Sequence, residues 1–160
     1  MLINFLAAFA SIYLLKIIGR KTLMAGTLII MSMCSCMMLC VISFSNSICV
    51  ILVMLVFIIA FELGPGPICW LYQAEITNDK AMGIATSINW TLTLVMSVSV
   101  PPLIQSLKNS WFLVFTMPCF FGFIFAVGIM EETRGKTEIE VLALYRTDKD
   151  LILERAKKDD

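Results

Sequence analysis

Histidine is absent from the 160 residues. That excludes Ser-His-Asp and Cys-His catalysis and any histidine-ligated metal. Charge is scarce too, at 15% of the chain, against roughly 25% in a soluble domain. What charge there is sits unevenly. Residues 1–130 hold five basic side chains (Lys16, Arg20, Lys21, Lys80, Lys108) and three acidic ones (Glu62, Glu75, Asp79). Residues 131–160 hold the other seven basic and nine acidic residues, so the formal net charge of zero averages two unlike objects. No CxxC pair occurs among Cys34, Cys36, Cys40, Cys49, Cys69 and Cys119, which lie in or beside apolar runs. They read as inert, membrane-buried thiols rather than a metal or disulfide framework. The opening run has no basic n-region and no small-residue cleavage site, so it does not read as a signal peptide. No cofactor, no metal, no nucleic-acid partner and no enzymatic chemistry is expected.

What is abundant is apolar length. The chain is 59% hydrophobic with mean hydropathy +0.91. A soluble domain of this size could not hide that much apolar surface, so lipid is the expected solvent. A spanning helix needs about 20 mostly apolar residues. Runs of that kind fall at about 24–43, 48–73, 84–104 and 111–130, with a shorter one at 1–15. They are apolar all round and too long for strands. An all-α membrane protein of about five transmembrane helices follows, because helices satisfy their own backbone in lipid. The sequence predicts a loop over 74–82, a fourth span closed by Pro101-Pro102, and a charged tail over 143–160, helical from 149 to 158. Basic residues in alternate loops number eleven against one. The 16–23 loop, the 74–83 loop and the tail are therefore expected on the cytoplasmic side. An odd number of helices beginning outside, without a signal, reads as an incomplete protein.

Several residues inside the spans carry chemistry. Glu62 within a span costs about 2.5–3.5 kcal/mol on insertion scales, so it must face a bundle interior or a wet cavity. It either makes a structural hydrogen bond between helices or lines a substrate path. Gly64-Pro65-Gly66-Pro67 follows. The two prolines remove two backbone donors and break the ladder. Such breaks mark substrate sites and gates in transporters. Trp70, about one turn on, is either an interfacial anchor or an aromatic plate for the apolar face of a sugar. Asn89 and Trp90 repeat the pairing of amide and aromatic, as helix glue or as ligand contacts. Arg20 and Lys21 are ordinarily a positive-inside anchor, and Glu75 can reach Arg20 from the same side of the membrane. The alternating charges after Tyr145 read as a solvated extension.

These motifs together resemble the C-terminal half of sugar porters in the major facilitator superfamily, the hexose-transporter type. Gly19-Arg20-Lys21 is similar to the Gly-Arg-Arg of the helix 8–9 loop. Phe61-Glu62-Leu63-Gly64-Pro65-Gly66-Pro67-Ile68-Cys69-Trp70, continuing to Ala74-Glu75, is similar to the helix 10 signature, and Asn89-Trp90 to that of helix 11. Glu132-Thr133-Arg134-Gly135-Lys136-Thr137, with Glu140, is similar to the Pro-Glu-Thr-Lys-Gly-Arg-Thr motif after helix 12. The resemblance covers residues 1 to about 142 and makes the spans helices 8–12. It implies sugar contacts or cavity positions for Asn4, Phe61, Glu62, Trp70, Asn89 and Trp90. It implies a gating break at Gly64, Pro65, Gly66 and Pro67, and a cytoplasmic charge cluster of Arg20, Lys21, Glu75 and Glu140. It also implies a hexose-like substrate and a partner half, helices 1–7, without which five helices do not transport. Lys16 stands where the family has an acid, Cys69 replaces a proline, Thr93 stands where many hexose carriers have asparagine, and Glu131 replaces a proline. Two readings compete: a non-transporting membrane protein that binds another transporter half, and a channel-like or scaffold protein. The membrane is a plasma or internal one.

Overall fold

The computed structural model describes residues 2–43 and 47–145, all built from helices and short connections. Seven α-helices follow one another: α1 (Leu2–Ile17), α2 (Arg20–Ser43), α3 (Ser47–Leu63), α4 (Pro65–Ile76), α5 (Asp79–Leu107), α6 (Leu113–Gly128) and α7 (Glu138–Leu144). A 3₁₀ turn, Lys108–Phe112, joins α5 to α6. Among the described residues, four stretches are long and apolar enough to cross a membrane: Arg20–Ile42, Ser47–Ile76 (α3 and α4 together), Asp79–Leu107 and Ser110–Gly128. The fifth apolar helix is shorter, over Phe5–Ile17. At about 1.5 Å per residue it falls short of a hydrocarbon core of roughly 30 Å. The expected helix at 149–158 lies outside the described residues.

The helices run further than the sequence predicts at two places. The loop expected over 74–82 shrinks to Thr77 and Asn78. Thr77 caps the end of α4, its N–H and hydroxyl both donating to the Gln73 carbonyl at 3.1 and 2.6 Å. Asn78 then starts α5 by accepting the Ala81 N–H through Oδ1 at 2.9 Å. Glu75, Asp79 and Lys80 therefore sit on helices, not in a loop. The second correction is at Pro101 and Pro102, which lie inside α5 rather than closing it. Each proline removes only its own bond to the residue four earlier. Unwinding the last turn would expose several more polar groups to lipid, which favours continuing the helix.

The core forms around α2, which packs against α1, α3, α4, α6 and the 3₁₀ turn. Leu23 and Leu28 of α2, Ile68 and Tyr72 of α4, Ala126 of α6 and Met130 just beyond it make one buried cluster. Buried Thr27, Ser32 and Ser35 give α2 a small-residue face. Small faces let helices approach closely where lipid supplies no hydrophobic drive between them. The large residues on the outer faces, among them Phe9, Ile51, Leu94 and Phe121, are exposed. That arrangement suits lipid as solvent. α5 differs from the rest: it buries no residue, and its main contact is the 3₁₀ turn that follows it.

Candidate functional site

The break between α3 and α4 is placed by backbone chemistry. Pro67 has no N–H for the carbonyl of Leu63, four residues earlier. That carbonyl accepts instead from the Ser11 hydroxyl of α1, at 3.2 Å, and Ser11 is 1% exposed. The chain bridges the break with bonds from Gly64 N–H to Ala60 and from Ile68 N–H to Gly64, at 3.1 and 3.0 Å. Pro65 occupies the first turn of α4, where a missing donor costs least. Gly64 itself lies against α2, and a Cβ there would overlap the Oγ1, Cβ and Cγ2 atoms of Thr27. The break is thus packed against protein, as non-helical backbone at membrane depth must be.

Phe61 and half-buried Glu62 stand just before this break, and Trp70 on α4 just after it. The Phe61 ring lies 3.5 Å from the Cβ position of Gly66, closing over the start of α4. Trp70 is 40% exposed. Asn89 lies elsewhere, on the face of α5 that carries Thr93 and Ser97. These three, with Leu92, Met96, Val100, Pro101 and Phe115, line an open hollow of about 620 Å³. Its lining includes none of Phe61, Glu62 and Trp70. Trp90 is turned outward at 62% exposure. Asn4 belongs to α1, but its side chain lies outside the described residues. The structure therefore groups Phe61, Glu62 and Trp70 around one break and sets Asn89 and Trp90 apart on α5.

At the charged end of the bundle Arg20 and Glu75 form an ion pair, Nη2 to Oε1, at 2.8 Å. The Thr133 hydroxyl donates to the other Glu75 oxygen at 2.5 Å. α2 begins with no acidic residue in its first turn, and Gly19 before it offers no capping side chain. Glu132 fills that role from 112 residues away. Its carboxylate accepts the N–H groups of Arg20 and Lys21 at 2.9 and 3.1 Å, and that of Arg134 at 3.0 Å. Gly19 allows this approach: its φ is +93°, and a Cβ there would sit 2.5 Å from Glu132 Oε2. The Arg134 guanidinium donates to the carbonyl of Ile17, where α1 ends.

Glu140 takes a different place from Arg20 and Glu75. It forms a capping box with Thr137 at the start of α7, accepting the Thr137 N–H at 2.8 Å. That N–H, followed by the Thr137 side chain, holds the Glu140 carboxyl below the usual glutamate range. A polar hollow of about 220 Å³ lies beside the Arg20–Glu75 pair, lined by Arg20, Ala74, Glu75, Thr133, Gly135, Lys136 and Val141. Sequence reasoning did not assign Glu132, Thr133 or Arg134 to the cluster. The signal was a helix start at Arg20-Lys21 with a bare glycine before it and no acid in its first turn. Such a start leaves its first N–H groups to water or to an acceptor from elsewhere in the chain.

These elements define a class: an all-α, multi-pass membrane bundle with one broken helix and a hydrogen-bonded charged end. The family described as "Sugar (and other) transporter" matches residues 1–145, and the chain belongs to it, a family of transporters and not of enzymes. A crystal structure of a double tryptophan mutant of XylE shares the fold. Its TM-score is 0.83 at 24% identity, over 91% of this chain and 33% of that one. The facilitated trehalose transporter Tret1 of Drosophila yakuba is 40% identical over 87 residues, 51% of this chain and 10% of that protein. The solute carrier family 2, facilitated glucose transporter member 3, of Ovis aries is 31% identical over 153 residues, 89% of this chain and 31% of its own length. The chain thus spans at most about a third of these relatives.

Proposed function

We propose that this chain forms one side of a pathway for a hexose-like sugar, in a carrier that works by alternating access with a second set of helices. The observation that carries this reading is the broken helix. An acid that is costly in lipid, Glu62, stands beside a discontinuity braced by Thr27 and Ser11, with an aromatic plate one turn further on. Sugars present apolar C–H faces ringed by hydroxyls, which suit a tryptophan face plus carboxylate and amide partners. Asn89 and Trp90 serve the same path when α5 is packed. Its unburied faces and the open hollow beside Asn89 support a reading in which further helices cover it. Asn4 is assigned to the sugar side by the family resemblance alone. The charged end faces the cytoplasm by its weight of basic residues. There Arg20, Glu75 and Glu132 fasten the state seen here, Lys21 joins through its backbone N–H, and Glu140 serves the start of α7.

In the complete carrier, Glu62→Ala and Trp70→Leu should each lower labelled-hexose uptake about tenfold, the loss of roughly 1.4 kcal/mol of differential binding. Membrane insertion should be unchanged, measured as the amount of carrier at the membrane. Normal uptake by both variants would remove these residues from the path.

A further inference from the structure

Tyr72 and Tyr145 belong neither to the proposed sugar path nor to the charge network, yet their hydroxyls meet at the charged end. Tyr72 is 8% exposed and packs in the core with Leu23, Ile68, Ala126 and Met130, so its ring position is fixed. Its Oη lies 3.0 Å from both the carbonyl oxygen and the amide nitrogen of Glu131, just beyond the end of α6. Tyr145 follows the last residue of α7. Its Oη is hydrogen-bonded to that of Tyr72 and also accepts the Glu131 N–H at 3.0 Å. One assignment uses each proton once: Tyr145 donates to Tyr72, Tyr72 donates to the Glu131 carbonyl, and the Glu131 N–H is shared between the two phenol oxygens. The end of α4, the exit of α6 and the end of α7 are thereby joined at two hydroxyl groups.

The rest of α7 is consistent with docking at this point. The Thr137–Glu140 box holds its start. Val141 and Ala143, 3% and 4% exposed, are buried, and α7 packs on α4. Two phenylalanines would fill nearly the same volume. The hydroxyls therefore contribute orientation more than bulk: that of buried Tyr72 must be paired, and the partner that half-exposed Tyr145 brings to it ties the end of α7 down.

We propose that Tyr72 and Tyr145 are positioning residues, a clasp that makes α7 move as one body with α4. This rests on the transport reading above and adds to it that α4, the half-helix beyond the break, changes orientation as the pathway opens at one end and closes at the other. The clasp biases that equilibrium without touching sugar.

Two measurements test it. The first uses this chain in lipid nanodiscs and needs no sugar. Tyr72→Phe and Tyr145→Phe should each speed amide exchange at residues 141–144 about fivefold, with the double variant no faster than either single one. Exchange within α2 should be unchanged. Unaltered exchange at 141–144 in both variants overturns the clasp. The second uses the complete carrier. Each variant should change maximal hexose turnover about threefold or more, and should change the ratio of inward to outward maximal rates, with the two KM values shifting in the same ratio. Faster exchange with wild-type turnover and rate ratio overturns the coupling. A complete carrier that moves no hexose even in wild-type form counts against the transport reading. The exchange result then still decides whether the clasp exists.

Discussion

Replacing Glu132 with alanine should loosen the whole charged end, at a cost of about 3 kcal/mol. One carboxylate accepts three backbone N–H groups, two of them at the start of the helix around which the core forms. Bonds to a charged acceptor are roughly twice as strong as neutral ones, and a negative charge at a helix N-terminus is favourable in itself. Alanine removes all of this and leaves Gly19 in its left-handed conformation with nothing to approach. The turn that carries Thr133 to Glu75 and Arg134 to Ile17 then loses its anchor. Glutamine keeps an acceptor oxygen but not the charge, and should cost about half as much. Glu140→Ala is the control, because that carboxylate serves only the short α7. Denaturation of the chain in detergent or nanodiscs reads these differences directly. Equal stability of the Glu132 and Glu140 variants would contradict the assignment of Glu132 as the main fastening.

Replacing Gly64 with valine should prevent α3 and α4 from seating on α2, a loss of more than about 3 kcal/mol. A Cβ at this position overlaps Thr27, and the overlap includes Thr27 Cβ at 2.6 Å, which no side-chain rotation can move. Thr27 is itself held, its hydroxyl donating to the carbonyls of Leu23 and Met24 at 2.8 and 3.1 Å. Lifting the break away from α2 also pulls the Leu63 carbonyl from Ser11, leaving it without that donor. The expected result is a chain that inserts in the membrane but shows no cooperative unfolding transition. Gly64→Ala should be milder, and Thr27→Gly in that background should recover part of the loss, because it removes the three atoms nearest the new Cβ. A Gly64→Val chain as stable as wild type would show that the helices do not cross at this point.

Much of this architecture was legible in the sequence because lipid leaves few choices. Apolar runs near 20 residues had to be helices, and α2, α3 with α4, and α6 are helices over such runs. The helix ends were less legible. Pro101 and Pro102 read as a stop under the rules for water-exposed helices, whereas in an apolar surround the helix continues through them. Glu75, Asp79 and Lys80 read as a loop by their charge, but Thr77 and Asn78 are capping residues and confine the break to themselves. The charge cluster divides in the same way. Arg20 and Glu75 were within reach of topological reasoning, and they pair. Glu132 was not, since nothing local shows that an acid 112 residues away caps α2. For Glu140 the local signal was present and stronger than the family analogy. Thr137 and Glu140 have the spacing of a capping box, and they form one.

The central claim is that these helices supply one side of a sugar pathway and need another set of helices to complete it. Labelled-hexose flux into liposomes tests this most directly, comparing the complete carrier with the 160-residue chain. Saturable flux through the carrier is expected, with flux through the chain alone no greater than that of empty liposomes. Saturable hexose flux through the chain alone would contradict it.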